Sequence, residues 1–151
     1  MPDIDFAFLA DAADARPGQK FSILGGGVTR IGGTSFPLVH PHLALVVGLN
    51  VTAAELGETH HLRFVLLAPD GAEMSRGEAE IRAEGFSAGA DTQLTFAIDL
   101  WSLTFAAPGE YSIRILVGGS ERKRIPLIVE RTQAQPGQVV SPPFPPITGR
   151  A

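Results

Sequence analysis

The run from Pro108 to Arg131, PGEYSIRILVGGSERKRIPLIVER, constrains the fold more than any other part of this chain. Tyr111, Ile113, Ile115 and Val117 alternate with Ser112, Arg114 and Leu116, and the run stops at Gly118-Gly119. A second alternating run follows, with Ile125, Leu127 and Val129 on one side. Successive side chains of an extended strand point to opposite faces, so period-two runs on both sides of a glycine turn predict a β-hairpin.

The rest of the chain repeats this grammar. Ile4, Phe6, Phe8 and Ala10 alternate with Asp5, Ala7, Leu9 and Asp11 as a first strand, with Ala10–Ala15 as a strand end or one helical turn. Phe21 to Ile31 reads as a strand interrupted by Gly25-Gly26-Gly27, where glycine marks a bulge or a close backbone approach. A loop with Pro37 and Pro41 leads to a strong strand with Leu43, Leu45, Val47, Leu49 and Val51 on one face. Thr52 with Glu55 three residues later has the spacing of a capped helical turn. Leu62, Phe64 and Leu66 define the next strand, and Pro69-Asp70-Gly71 ends it in a turn. Glu73 to Glu84 alternates with one wet side, Gly85–Asp91 is a loop, and Leu94, Phe96, Ile98 and Leu100 form a strand running on towards Phe105.

Short strands with turns at such spacing predict an all-β, antiparallel β-sandwich of about eight strands, immunoglobulin-like or C2-like. Pro108-Gly109-Glu110-Tyr111 matches the start of a late strand in such sandwiches. The sandwich spans residues 1–131. From residue 132 to 151 the composition changes to TQAQPGQVVSPPFPPITGRA, an extended proline-rich C-terminal arm.

A chain of 151 residues fits one domain and buries enough surface to need no disulfide or metal. With no cysteine, disulfide frameworks, thiolate zinc sites and cysteine nucleophiles are excluded. The net charge of −4 argues against a nucleic-acid partner, which needs a basic face. Arg122, Lys123 and Arg124 form a basic cluster beside Glu121, read as a solvated turn that discourages edge pairing. No apolar run reaches membrane-span length, and the acidic N-terminus makes a poor signal peptide, so a cytoplasmic protein without a membrane partner is expected.

Candidate chemistry is sparse. His40 and His42 flank Pro41, and an i, i+2 pair on an extended segment suits two metal ligands. If the strands at 43–51 and 59–68 pair as a hairpin, His60 lies opposite Asn50, far from His42, which argues against a four-histidine site. Gly25-Gly26-Gly27 lacks the lysine and the helix of a phosphate loop. Asp99 faces outward, with Asp5 and Asp11 as the available second carboxylates. Ser102 and Ser112 lack a nucleophile elbow. Trp101 and Phe105 read as core anchors before ligand platforms. No catalytic residue, cofactor or metal is assigned.

Apolar residues recur at outward positions: Val46, Val65, Leu67, Leu116 and Ile128. Their placement on adjacent strands points to a covered second face. Phe144, flanked by prolines, has no core of its own and suits docking into a groove.

The opening FAFLADAADARPGQKFSILGGGVTRIG, followed by FPLVHPHLALVVGLNV, resembles a family of small uncharacterised bacterial proteins known as a domain of unknown function. The shared features are an Ala-Asp ending the first strand, a Gly-Gln-Lys turn and a Gly-Gly before the third element. The resemblance covers the first third to half of the chain. It implies a bacterial β-sandwich and carries no activity or site residue with it.

The expected function is a non-enzymatic interaction or assembly module. It self-associates or docks another protein through the sheet face bearing Val65, Leu67, Leu116 and Ile128 and through the arm around Phe144. The alternatives are a small-ligand or carbohydrate-binding module using Trp101 and Phe105, and a metal-dependent enzyme using His40 and His42.

Overall fold

Gly118 and Gly119 take φ of 57° and 83°, the paired left-handed conformation that a two-residue hairpin turn requires, and they join β8 (Gly109–Val117) to β9 (Ser120–Arg131). In this computed structural model, which describes residues 2–16, 19–84 and 91–133, that hairpin is the centre of a five-stranded sheet. The sheet runs in the order β3 (Arg30–Gly33), β9, β8, β5 (Thr59–Leu67), β6 (Glu73–Arg82). The facing sheet has four strands in the order β2 (Ser22–Gly26), β1 (Asp3–Asp14), β4 (Leu38–Val51), β7 (Thr92–Phe105). All pairings are antiparallel except that of β3 with β9. The fold is an all-β sandwich of nine strands among the described residues. The loop read at Gly85–Asp91 and the arm beyond Gln133 lie outside those residues except at Asp91.

The core lies between the sheets. Leu9, Leu43, Leu45, Val47 and Leu49 from the four-stranded sheet meet Leu62, Phe64, Leu66, Ile113, Ile115, Val117, Leu127 and Val129 from the other. The two faces of the late hairpin are those that its alternation predicts. Tyr111 sits at the start of β8, 3% exposed, and its hydroxyl donates to the Ala107 carbonyl at 2.7 Å. Its ring meets Phe105 edge-on at 4.9 Å. This is the tyrosine corner of sandwich folds, and it ties the β7–β8 connection to the strand that follows.

Several local expectations change. The interrupted strand at 21–31 is two strands in different sheets, and Gly27–Thr29 crosses between the layers. Gly27 and Val28 donate to the Leu9 carbonyl, and Ile128 donates to that of Thr29, each at 2.9 Å. β4 begins at Leu38, inside the stretch expected to be a loop. The supposed hairpin between 43–51 and 59–68 does not form, because β4 and β5 belong to opposite sheets. The turn between them does form, as a 3₁₀ turn at Ala53–Glu55 in which the Thr52 amide donates to the Glu55 carboxylate at 2.9 Å.

Apolar residues on both faces of β4 have a local explanation. Val46 is fully buried on the outer side of the four-stranded sheet, with Ala10 and Ala44. What covers it is the chain's own β1–β2 hairpin, in place of the partner or arm expected there. Phe6 and Phe8 on β1 lie on this outer side while Leu9 reaches the main core. Phe6 stands over Gly48, where any side chain would collide with its ring. Further along, Ala13 and its strand partner Ile23 also pack on this outer cluster, although Ala13 lies three positions from Ala10. The pleat therefore changes phase near Asp11, opposite Gly25 with φ of 59°, and the hairpin end curls back over the sheet. Phe21 reaches the Phe6 ring at 6.1 Å.

Two stability measurements follow. Tyr111→Phe should cost about 1 kcal/mol in urea unfolding, the worth of one hydrogen bond, and Tyr111→Ala about 3–5 kcal/mol. Val46→Lys should cost more than about 3 kcal/mol because it forces a charge under the hairpin, whereas Val65→Lys, at a half-buried outer position, should cost less than about 1 kcal/mol. Equal costs would contradict the covered outer face.

Candidate functional site

β4 and β7 are paired along almost their whole length, and both change pleat phase at the same level. Leu38 and Leu43 both pack in the main core although five positions apart, and Leu100 and Leu103 do so three positions apart. Pro41 and Ser102 lie inside these intervals. Ser102 has φ of 50°, a left-handed conformation that costs a non-glycine residue about 1–2 kcal/mol. Here the strands present His42 and its cross-strand partner Trp101 to the outside.

His42 is fixed from both ends. Its Nε2 lies 2.7 Å from the Asp99 Oδ1 and its Nδ1 lies 2.8 Å from the Asp11 carbonyl. Both partners are hydrogen-bond acceptors, one at each ring nitrogen. The Asp11 carbonyl comes from the bend where β1 curls over the sheet. The imidazole in turn carries the Trp101 indole, with ring centroids 4.2 Å apart at a tilt of 37°. Trp101 is 67% exposed. Val39, beyond the phase change on β4, is also exposed. The result is a large aromatic surface held against a locked ring at the rim of the four-stranded sheet.

The expected chemistry looks different in place. Trp101 is a surface residue, and its expected role as a core anchor does not hold. Phe105, fully buried, is the core residue of the two. Strict alternation from Leu94 to Leu100 places Trp101 on the outer face with Asp99, so its outward direction is legible in the residues. Asp11 reaches His42 through its backbone, and Asp5 accepts from the Gln93 side chain, so neither forms a carboxylate pair with Asp99. A metal at His42 would have to displace one of two hydrogen bonds. His60 is buried, paired with Ile81, and its Nε2 lies 3.1 Å from the Glu55 carbonyl. His61 faces outward, 3.4 Å from Glu80. Among the described residues no group of three or more histidines and carboxylates is arranged to hold a metal.

Val65, Leu67, Leu116 and Ile128 do share the outer face of the five-stranded sheet, each half-buried. They alternate with charged or polar neighbours. Val65 lies between Arg114 and Arg76, Leu116 between Arg63 and Glu121, Leu67 between Ser112 and Glu73, and Ile128 between Glu110 and Arg30. Long charged side chains cover apolar neighbours with their stems, so this face is a mixed lattice without a continuous apolar patch. Phe144 lies outside the described residues. A cavity of about 240 Å³ on the same sheet is lined by His61, Arg63, Glu78 and Glu80, with Arg63 paired to Glu78 and His61 beside Glu80. In the basic cluster, Arg124 and Arg114 grip Glu121 and hold its carboxyl below the ordinary range. No helix among the described residues is long and apolar enough to cross a membrane.

His42→Ala should cost about 1–3 kcal/mol, because it strands two acceptors, and should lower the fluorescence anisotropy of the single tryptophan. Asp99→Asn keeps an oxygen that accepts from Nε2 and should cost less. Unchanged anisotropy in His42→Ala would mean that the imidazole does not hold the indole.

No curated protein matches the chain. Among solved structures, it is similar to an alkylpurine DNA glycosylase of Pseudomonas fluorescens bound to DNA containing an abasic site analog, with 14% identity and a TM-score of 0.43 over 68% of this chain and 28% of that one. It therefore spans less than a third of that protein. It is also similar to the CARDB domain of a Pyrococcus furiosus protein in complex with di-metal ions, with 12% identity and a TM-score of 0.33 over 84% and 91% of the two chains. Residues 5–130 match a family of unknown function, DUF6941, and the chain belongs to that family.

Proposed function

We propose that this domain is a non-enzymatic docking module whose anchor is the Trp101 corner. The observation that supports this reading is an indole two-thirds exposed on an outer sheet face and immobilised by a histidine whose two nitrogens are both engaged. Tryptophan is the residue most enriched among binding hot spots, and an anchor already held in one orientation loses little freedom when a partner covers it. The Asp99–His42 pair serves this role by holding the ring. The mixed face with Val65, Leu67, Leu116 and Ile128 and the arm with Phe144 are secondary contacts in this reading.

The exposed indole also favours a second reading, in which it stacks on the apolar face of a sugar ring. Phe105, buried in the core, does not share that role.

The chain has one tryptophan, so its emission reports on this corner alone. Concentrating the protein, or adding a partner, should shift the emission to shorter wavelength as the indole leaves water, and Trp101→Ala should abolish the association in light scattering while leaving the fold intact. Association that survives Trp101→Ala unchanged would overturn the docking reading. A shift in melting temperature with a panel of oligosaccharides and no protein association would favour the second.

A further inference from the structure

We infer that the partner is a second copy of this chain, joined edge to edge through β7 in antiparallel register so that two four-stranded sheets become one. The inference rests on the docking reading above and names its partner.

A sheet edge exposes a row of unpaired amide and carbonyl groups, and proteins normally shield it by keeping the strand short, charging it or kinking it. Three of the four edges in this sandwich are shielded in those ways. β2 has five residues and belongs to the curled hairpin, and β3 has four. β6 carries five charged residues among its ten: Glu73, Arg76, Glu78, Glu80 and Arg82. β7 is the exception. It is fourteen residues long, TQLTFAIDLWSLTF, with Asp99 as its single charge. β4 pairs with one side of it, and no described strand or backbone group bonds to the other. The distortion at Ser102 leaves Thr92–Leu100 regular.

Two features make this edge complementary to itself. The first is charge. Antiparallel self-pairing brings the two copies of Asp99 towards each other, and like charges there would oppose it. Asp99 is already held by His42 in its own chain at 2.7 Å. The second is shape. On the outer side of β7, Thr95 is buried within its own chain, Ala97 is half-buried and Trp101 is exposed. A two-fold axis near Ile98 sets the Trp101 of each copy beside the small Thr95 of its partner and Asp99 beside Ala97. The indole then lies beside the seam where the partner presents no large side chain, and the corner that holds it is unchanged. A two-fold contact of this kind closes on itself and stops at a dimer.

The test uses the full chain and the double variant Gln93→Lys/Thr104→Lys. These two exposed positions lie at opposite ends of β7, so they become neighbours across the antiparallel pair while Trp101 stays intact. Light scattering after size exclusion should give a dimer for the unaltered chain. The variant should associate roughly a hundredfold more weakly, because like charges are juxtaposed. Its far-UV circular dichroism and melting curve at low concentration should match those of the unaltered monomer. In hydrogen exchange, amides within Thr92–Phe105 should gain protection on dimerisation.

A variant that stays dimeric while Trp101→Ala breaks the dimer would overturn edge pairing and leave the docking reading standing. A chain that is monomeric at every concentration overturns the second copy as partner. If it dimerises only when truncated after Gln133, the arm of the same chain is the occupant of the edge, and the inference fails in favour of self-capping.

Discussion

Seven consecutive residues of β4, Leu43 to Leu49, are cut off from solvent, and the rest of the molecule is arranged to make that so. A strand in a two-layer sandwich normally shows one face to water. β4 does not, because both its odd and its even positions are apolar. One set packs against the five-stranded sheet. The other set, with Val46 and Ala44, is closed off by β1 and by the hairpin that curls back over it. The sandwich thus has a main core between its sheets and a second, smaller one outside the four-stranded sheet.

The bend that closes the outer core also builds the candidate site. β1 can cover Val46 only by changing pleat phase near Asp11. At that point its carbonyl is turned towards β4, where His42 receives it. On the other side of His42, β7 brings Asp99 into range through the ordinary antiparallel register, in which Ala44 faces Asp99 and His42 faces Trp101. One bend and one register therefore fix the imidazole, and the imidazole fixes the indole. The matched distortions at Pro41 and Ser102 let Leu103 and Phe105 return to the core beyond the site while Trp101 stays outside.

The two outer surfaces of the sandwich differ in kind. The five-stranded sheet mixes half-buried aliphatic side chains with arginines and glutamates that pair across strands, and its free edges are charged or short. The four-stranded sheet has an exposed indole at its rim and, on β7, a long, almost uncharged edge that no other described strand pairs. It is from the second sheet that the proposed docking and self-pairing draw their physical support.

Much of the fold is legible in the residues because it depends on local period and turn chemistry. The alternation from Tyr111 to Val129 and the Gly118-Gly119 turn determine a hairpin and both of its faces, since side-chain direction in a strand follows from position alone. The same holds for the turn at Asp70-Gly71 and the inward face of Leu43–Val51. Which sheet each strand joins is a different matter. β2 and β3 lie next to each other in the chain and fall in opposite layers, and β4 and β5 do not pair although a short turn links them, because partner choice is settled by which faces can be buried together. The site shows the same division. The outward direction of Asp99 and Trp101 could be read from alternation. That His42 would meet Asp99 on one side and the Asp11 carbonyl on the other could not, because residues 31 and 57 positions away are brought together only by the register of three strands and the bend in one of them.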